Sequence, residues 1–220
     1  MPRTIFVTGT DTGVGKTHAS CALLRRARRK GLRACGYKPV ASGCERTAEG
    51  LRNADALALL AESAPGLAYA QVNPYPLEPP IAPHVAARDA GVRLDLAVLD
   101  AGHDALAATH ELVLVEGAGG WRVPLHDTIG FDDWVAARGW PVVLVVAMRL
   151  GCINHALLSA ESIVRRTHLL GWIANCMPPE MPRLQESLQT LRQRLPAPLI
   201  GVLPEGTDIQ RASAALSWPS

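Results

Sequence analysis

Gly9-Thr10-Asp11-Thr12-Gly13-Val14-Gly15-Lys16-Thr17 follows the β-branched run Thr4-Ile5-Phe6-Val7-Thr8 and opens a helical pattern. Strand, glycine loop and helix in that order make the context of a phosphate-binding loop. The backbone N–H groups of Gly13, Val14 and Gly15 and of the helix start would point at phosphate oxygens. Lys16 adds a cation toward the β- and γ-phosphates, and the Thr17 hydroxyl is placed for Mg²⁺. Five residues rather than four separate Gly9 from Gly15. The alternative is a glycine turn with a chance lysine, which the register of strand, loop and helix argues against.

Outward from this loop, apolar runs alternate with helical patterns. The runs are Leu112–Val115, Val142–Val146, Trp172–Ala174 and Leu199–Val202, with a weaker strand at Arg33–Tyr37. They do not alternate with polar residues, as expected of parallel strands buried on both faces. Helices are predicted near Lys16–Lys30, Ala54–Glu62, Leu94–His110, Asn154–Thr167 and Pro182–Leu195. The fold expected is α/β: one doubly wound, mainly parallel sheet with helices on both faces, of the P-loop NTPase type. Residues 1–220 are expected to form a single domain. Asn73–Pro83 holds five prolines and reads as a surface loop or lid.

Composition excludes several classes. Hydrophobic residues make up 48% of the 220, enough for a sizeable core. A net charge of +2 gives no argument for nucleic acid or an anionic membrane. The basic run Arg25–Lys30 suits a helix C-terminus. Five scattered cysteines show no CxxC spacing, so neither a disulfide framework nor a zinc site is expected. The longest apolar run, Val142–Met148, is too short for a bilayer, and a strand starting at Thr4 leaves no place for a signal peptide. A reduced cytoplasm is the expected location.

A second ring of residues bears on chemistry. Glu116 closes the run Leu112–Val115 and leads into Gly117-Ala118-Gly119-Gly120. A carboxylate at the carboxyl end of a central strand faces the crevice of such a sheet. Asp55 lies at the start of a helix, where the macrodipole alone could account for it. Against a triphosphate neither acid can stand bare, since like unit charges about 4 Å apart repel by about 4 kcal/mol at an effective dielectric of about 20. A bridging Mg²⁺ on Thr17, Asp55 and Glu116 would reverse that sign. Lys38 ends the second strand before Pro39, which would aim it into the crevice, although a strand-end lysine is more often simply solvated.

Taken together, Gly9–Thr17, Lys38-Pro39-Val40-Ala41-Ser42-Gly43, Asp55-Ala56, Val115–Gly120 and Leu150-Gly151-Cys152-Ile153-Asn154-His155-Ala156 closely resemble the dethiobiotin synthetases. Asn73-Pro74-Tyr75 and Pro196-Ala197-Pro198 are similar to that family as well. The resemblance runs from about Thr4 to Pro204 and includes the extra loop residue. It implies that ATP, CO₂ and 7,8-diaminononanoate give dethiobiotin, ADP and phosphate through a carbamate and its mixed anhydride with phosphate. It also implies roles. Lys16 and Lys38 would be catalytic, holding the carbamate and the phosphoryl group in flight. Thr12, Ser42 and Ala118 would contact the substrate, and Gly117, Ala118 and Gly119 the nucleotide. His18, Asn175, Pro204 and Glu205 complete the implied ATP contacts, with Asn175 reading adenine. Gly151, Cys152 and Asn154 would bind the substrate carboxylate of a neighbouring subunit, which implies a homodimer. Asn154 could equally be a helix cap.

The match departs at Cys176, where the family often has a polar or acidic residue, and at Glu205, where many members carry tryptophan. Loose base selectivity is the expectation that follows. The tail Glu205–Ser220 does not match. His18, His84 and His126 show no ligand spacing and read as surface or structural by pattern alone. A partition-type ATPase switch would carry a lysine five places before Lys16, where this chain has Asp11. A cobyrinate-type amidoligase would need a glutaminase domain, for which no room is expected.

Overall fold

A strand flanked by helices on both sides must send apolar side chains to both faces, and the central strands do. The computed structural model describes residues 3–217. Its elements are β1 (Arg3–Gly9), α1 (Lys16–Arg29), β2 (Ala34–Tyr37), β3 (Val40–Ala41), β4 (Glu45–Thr47), β5 (Gly50–Arg52), α2 (Ala54–Glu62), α3 (Tyr69–Val72), β6 (Tyr75–Pro76), α4 (Pro83–Asp89) and α5 (Leu96–Ala107). Then follow β7 (Leu112–Gly120), α6 (Phe131–Arg138), β8 (Val142–Met148), α7 (Cys152–Val164), β9 (Leu169–Cys176), α8 (Leu184–Arg194), β10 (Leu199–Leu203) and α9 (Ile209–Ala215).

Six strands pair in the order β10-β9-β8-β1-β7-β2, all parallel. After β7 the chain crosses to the other side of β1, so the carboxyl ends of β1, β7 and β2 open on one crevice. In β8, Val142, Leu144, Val146 and Met148 join a core with α5, α6, α7 and α8, whereas Val143, Val145 and Ala147 join a second core with α1, α2 and α9. Burial on both faces is why these strands read as unbroken apolar runs. Phe6 anchors the first core, edge-on to Trp121 at 6.1 Å between ring centroids.

The predicted fold class is the one observed, and α2 has its predicted bounds. Other elements differ. β7 does not stop before Glu116 but runs on to Gly120, so Glu116 lies within the strand. Between Val7 and Gly9 the partner advances from Glu116 to Gly120, two steps against four. The surplus backbone bulges, and glycine permits it: Gly119 has φ +66°, and a side chain on Gly117 would strike Phe6. α7 begins at Cys152 with Gly151 at its cap in the left-handed region, so Asn154 sits in the first turn and is not the cap. Asn73–Pro83 is not all loop, because Tyr75–Pro76 pairs with Val40–Ala41 and Pro83 starts α4.

The hairpin β4–β5 and the helices α3, α4, α6 and α9 were not expected. α6 is short and apolar on several sides, so it shows no helical stripe; its one signal is Asp133, whose carboxylate accepts from the Gly130 N–H at 2.7 Å. α9 forms in the tail after Pro204: it is capped by Asp208 and packs through Ala212 and Ser213, while residues 218–220 of that tail lie outside the described residues.

Gly36 of β2 fixes how close α2 comes. A Cβ there would lie 2.8 Å from Cβ of Leu59, too near the helix backbone for a rotamer change to relieve it. Gly36→Ala is predicted to lower unfolding free energy by about 1–3 kcal/mol, measured by urea denaturation, and to weaken activity because α2 carries Asp55. An unchanged midpoint would show that the strand and helix are not in close register.

Candidate active site

The site is built from strand ends. β1 delivers the loop Gly9–Gly15; Thr10 N–H still donates to the Val145 carbonyl at 3.0 Å before the chain turns away. Gly15 caps α1 at φ 88°, in the left-handed region that glycine tolerates, and no side chain caps the helix. The free N–H groups of that helix start face the crevice as an anion site. Asp11 braces the loop. Its Oδ1 accepts from the Thr12 N–H at 2.7 Å, its Oδ2 from Arg149 at 2.9 Å and its carbonyl from Lys16 Nζ at 3.0 Å.

β2 delivers Lys38, and the chain around it is clamped. The Lys38 N–H donates to the Val72 carbonyl at 2.8 Å, and the buried Asn73 amide donates to the Lys38 carbonyl at 2.7 Å. Asn53 caps α2 through the Ala56 N–H and donates to the Ser42 carbonyl at 3.2 Å. The same cap therefore fixes both Asp55, in the first turn of α2, and the segment after Lys38. Tyr69 ties the two clamps together, accepting from the Asn53 N–H at 2.8 Å and donating to the Asn73 side chain at 2.9 Å.

β7 delivers Glu116, which is wholly buried. Its Oε1 accepts from Lys38 Nζ at 2.7 Å and from the Thr17 hydroxyl at 2.9 Å, whereas its Oε2 has no partner. Lys38 Nζ also donates to Asp55 Oδ2 at 3.2 Å and to the Gly117 carbonyl at 3.2 Å. Thr17, Lys38, Asp55 and Glu116 therefore form one network. Burial works to lower the Lys38 pKa, but Glu116 and Asp55 outweigh it and hold the ammonium above its ordinary range. Burial would raise the Asp55 carboxyl, but Lys38, Thr17 and Lys16 together outweigh that and hold it below the usual value. Lys16 moves the other way: burial, then the nearby Lys38 charge, bring it down to about 8.

A cavity of about 620 Å³ opens here, lined by Thr12, Gly13, Gly15, Lys16, Thr17, Lys38, Ser42, Asp55, Ala118 and Gly119. Its remaining wall is apolar: Pro80 to Pro83, the end of the segment expected as a surface loop or lid but not assigned a contact, and Val123, which sequence reasoning had not singled out. The only hint was the proline content of that segment. The Ser42 hydroxyl is buried without a partner. Pro204 and Glu205 line a separate pocket of about 220 Å³ with Met148, Cys176 and Met181. Asn175, whose amide donates to the Val14 carbonyl at 3.0 Å, joins the loop to the strand that leads to this pocket. His18, half-buried on α1, lines neither space, nor do Gly151, Cys152 and Asn154 at the start of α7. Cys152 is buried, so that turn offers backbone and Asn154 to a ligand rather than a thiol. Among the described residues no three His, Cys, Asp or Glu side chains cluster as metal ligands. A cation here would rest on Asp55, Glu116, the Thr17 hydroxyl and oxygens from a ligand.

Residues 3–213 match the model of a family described as AAA domain. Over 212 residues the chain is 56% identical to the ATP-dependent dethiobiotin synthetase BioD of Pseudomonas paraeruginosa, covering 96% of this chain and 93% of that protein. It is 52% identical to ATP-dependent dethiobiotin synthetase BioD 1 of Escherichia coli over 93% of this chain and 91% of the other. Among solved structures, the septum site-determining protein MinD of Pyrococcus horikoshii, complexed with Mg-ADP, aligns with a TM-score of 0.58 at 15% identity, over 97% of this chain and 85% of that one. At that identity the likeness is one of fold alone.

The lowered Lys16 has a measurable consequence. With a pKa near 8 in the free protein, Lys16 is mostly neutral above that pH, and polyphosphate oxygens bound beside it would restore its charge. ATP binding is therefore predicted to take up roughly three-quarters of a proton at about pH 8.5 and about a tenth at about pH 7. Calorimetry in two buffers of different ionisation enthalpy reads this directly, and a binding heat independent of buffer at the higher pH would contradict it.

Proposed function

The chain belongs to the ATP-dependent dethiobiotin synthetase family, and on that premise we propose how its residues divide the work of closing a ureido ring. The reaction joins 7,8-diaminononanoate and CO₂, with ATP converted to ADP and phosphate. One amine adds to CO₂ and loses a proton, giving a carbamate. A carbamate oxygen attacks the γ-phosphorus, and ADP leaves. The second amine then attacks the carbonyl carbon of the mixed anhydride, phosphate departs with the C–O bond electrons, and the new urea nitrogen loses its proton.

One observation carries the assignment of roles: Lys16 from the phosphate loop and Lys38 from the end of β2 border the same cavity, as does Ser42. A carbamate and a γ-phosphate are both anions and repel, so a cation between them lowers the barrier to their meeting. Lys16 fits the phosphoryl group and Lys38 the carbamate. The partnerless Ser42 hydroxyl and Thr12 supply donors for the substrate's reacting end, and Ile81, Pro83 and Val123 suit its alkyl chain. Catalysis on this account is positioning and charge stabilisation, with no covalent bond to the protein.

Mg²⁺ fits the oxygen set. Glu116 Oε2 is buried without a partner, Asp55 borders the cavity and Thr17 offers a hydroxyl, and Mg²⁺ takes hard oxygen ligands in small number alongside phosphate and water. When bound it would supply neutralisation of the polyphosphate charge. Val14, Gly15, Gly117 and Gly119 would contact the nucleotide through their backbone, with His18 flanking them. Asn175 would read the base, held in place by Val14 and leaving its carbonyl oxygen for an amino group. Cys176, Pro204 and Glu205 would wall it, and with no tryptophan there base selectivity would be loose.

The 220 residues would act as one cytoplasmic domain and pair as a homodimer. Supporting that pairing, Leu150 in the turn before α7 is 96% exposed, and Leu158, one helical turn after Asn154 on α7, is 58% exposed. A second copy covering that face would bring Gly151, Cys152 and Asn154 to its neighbour's substrate carboxylate. No helix of the described residues is long and apolar enough to cross a membrane.

Purified protein with Mg-ATP and bicarbonate is predicted to release phosphate only when 7,8-diaminononanoate is added, with one dethiobiotin formed per phosphate. Equal phosphate release without the diamine, read by a coupled colorimetric assay, would overturn the assignment.

A further inference from the structure

Three acceptors surround the Lys38 ammonium: Glu116 Oε1 at 2.7 Å, Asp55 Oδ2 at 3.2 Å and the Gly117 carbonyl at 3.2 Å. An ammonium has three N–H donors, and here each has an oxygen to point at. The two carboxylates are those a divalent ion would use, and the ammonium bridges them. Glu116 is wholly buried and Lys38 is 3% exposed, so water does little to screen either charge. Glu116 Oε2 remains unpartnered, which leaves the niche one more acceptor than the lysine uses.

We infer that Lys38 is the resident cation of the Glu116–Asp55 niche when no nucleotide is bound, and that it yields this niche to a divalent ion only when a polyphosphate offers its ammonium other oxygens. The inference rests on reading Thr17, Asp55 and Glu116 as the oxygen set for Mg²⁺. Its logic is mutual exclusion. A divalent ion drawn to both carboxylates would meet the ammonium at close range and be repelled. If instead Lys38 withdrew with nothing in its place, both carboxylates would lose their directly bonded cation, one of them wholly buried and left with Lys16 only as a neighbouring charge. Only an exchange avoids both states, in which the lysine moves to phosphate oxygens as the ion arrives on the same phosphates. Nucleotide then raises metal affinity, and metal raises nucleotide affinity by the same factor.

The exchange has a consequence for the reaction. While Lys38 holds the carboxylates it is not available to a carbamate. The substrate-facing cation is presented only in a site already loaded with nucleotide and metal, so free metal does not occupy the niche and free substrate does not meet a primed lysine.

Mn²⁺ is the probe, with the free ion read by electron paramagnetic resonance. Without nucleotide, the wild-type chain is expected to bind it weakly. Lys38→Met, which keeps an unbranched side chain one atom shorter and removes its charge, is expected to bind Mn²⁺ about tenfold more tightly or better. Adding Asp55→Asn to Lys38→Met should abolish most of that gain. If Lys38→Met does not fold cooperatively without metal, Mn²⁺ should restore its folding and raise its Tm well beyond the shift seen for wild type. A variant that binds Mn²⁺ no better than wild type, or that stays unfolded in millimolar Mn²⁺, overturns the inference. A second arm separates it from the metal reading. With a non-hydrolysable ATP analogue bound to the wild-type background, Asp55→Asn and Glu116→Gln should each weaken Mn²⁺ binding. If neither does, the metal reading itself fails; if both do while wild type and Lys38→Met bind Mn²⁺ alike without nucleotide, the resident-cation role alone fails.

Discussion

Everything in the site follows from the need to keep a buried carboxylate compensated. Glu116 sits inside the central sheet with no exposure, where an unpaired charge would cost about 3–5 kcal/mol. Lys38 provides the compensation at 2.7 Å, and Asp55 and Thr17 complete the network. Such a pair contributes little to stability compared with a well-packed apolar substitute. Its position beside a cavity that Lys38 and Asp55 line therefore argues for a functional role. The same four side chains balance charge with a lysine in the free protein and could balance it with a metal and phosphates in the loaded one.

The fold supplies this arrangement through connectivity. Parallel strands joined by right-handed crossovers put their carboxyl ends on one edge, and the crossing of the chain from β7 to β8 leaves a gap beside β1. Into that gap project the loop after β1, the lysine after β2 and the glycine bulge of β7. The bulge matters because it turns the Gly117 carbonyl to Lys38 and lets backbone approach the cavity. Asn53, Tyr69 and Asn73 hold the second lysine in place from below, through hydrogen bonds rather than packing. Precision at Lys38 thus comes from polar clamps, while the position of α2 comes from the missing side chain of Gly36.

How much of this was legible in the sequence differed by the kind of signal. The sheet was legible, because burial on both faces leaves runs such as Val142–Val146 that no surface strand would tolerate. The phosphate loop was legible because its glycines, lysine and threonine are each required by geometry. Lys38, Asp55 and Glu116 had plausible bland readings alone and stood out only together, through likeness to a family; the structure brings all three into one network. The strand continuing through Glu116 was hidden, since glycines read as a loop and pairing with β1 overrides their low strand propensity. The N-terminal turn of α7 misled because Asn154 is a good cap by type, whereas Gly151 takes that place by adopting a left-handed conformation. The apolar wall from Pro80 to Pro83 had no periodic signature, for its contribution is made by tertiary position.

In the proposed reaction a carbamate, not water, receives the γ-phosphoryl group. Oxygen labelling tests it most directly. With C¹⁸O₂ supplied in unlabelled water and the reaction quenched early, one ¹⁸O should appear in each released phosphate, because the attacking carbamate oxygen leaves with phosphorus when the ring closes. Phosphate free of that label, but labelled when the solvent is H₂¹⁸O, would show that ATP is hydrolysed by water and would contradict the account.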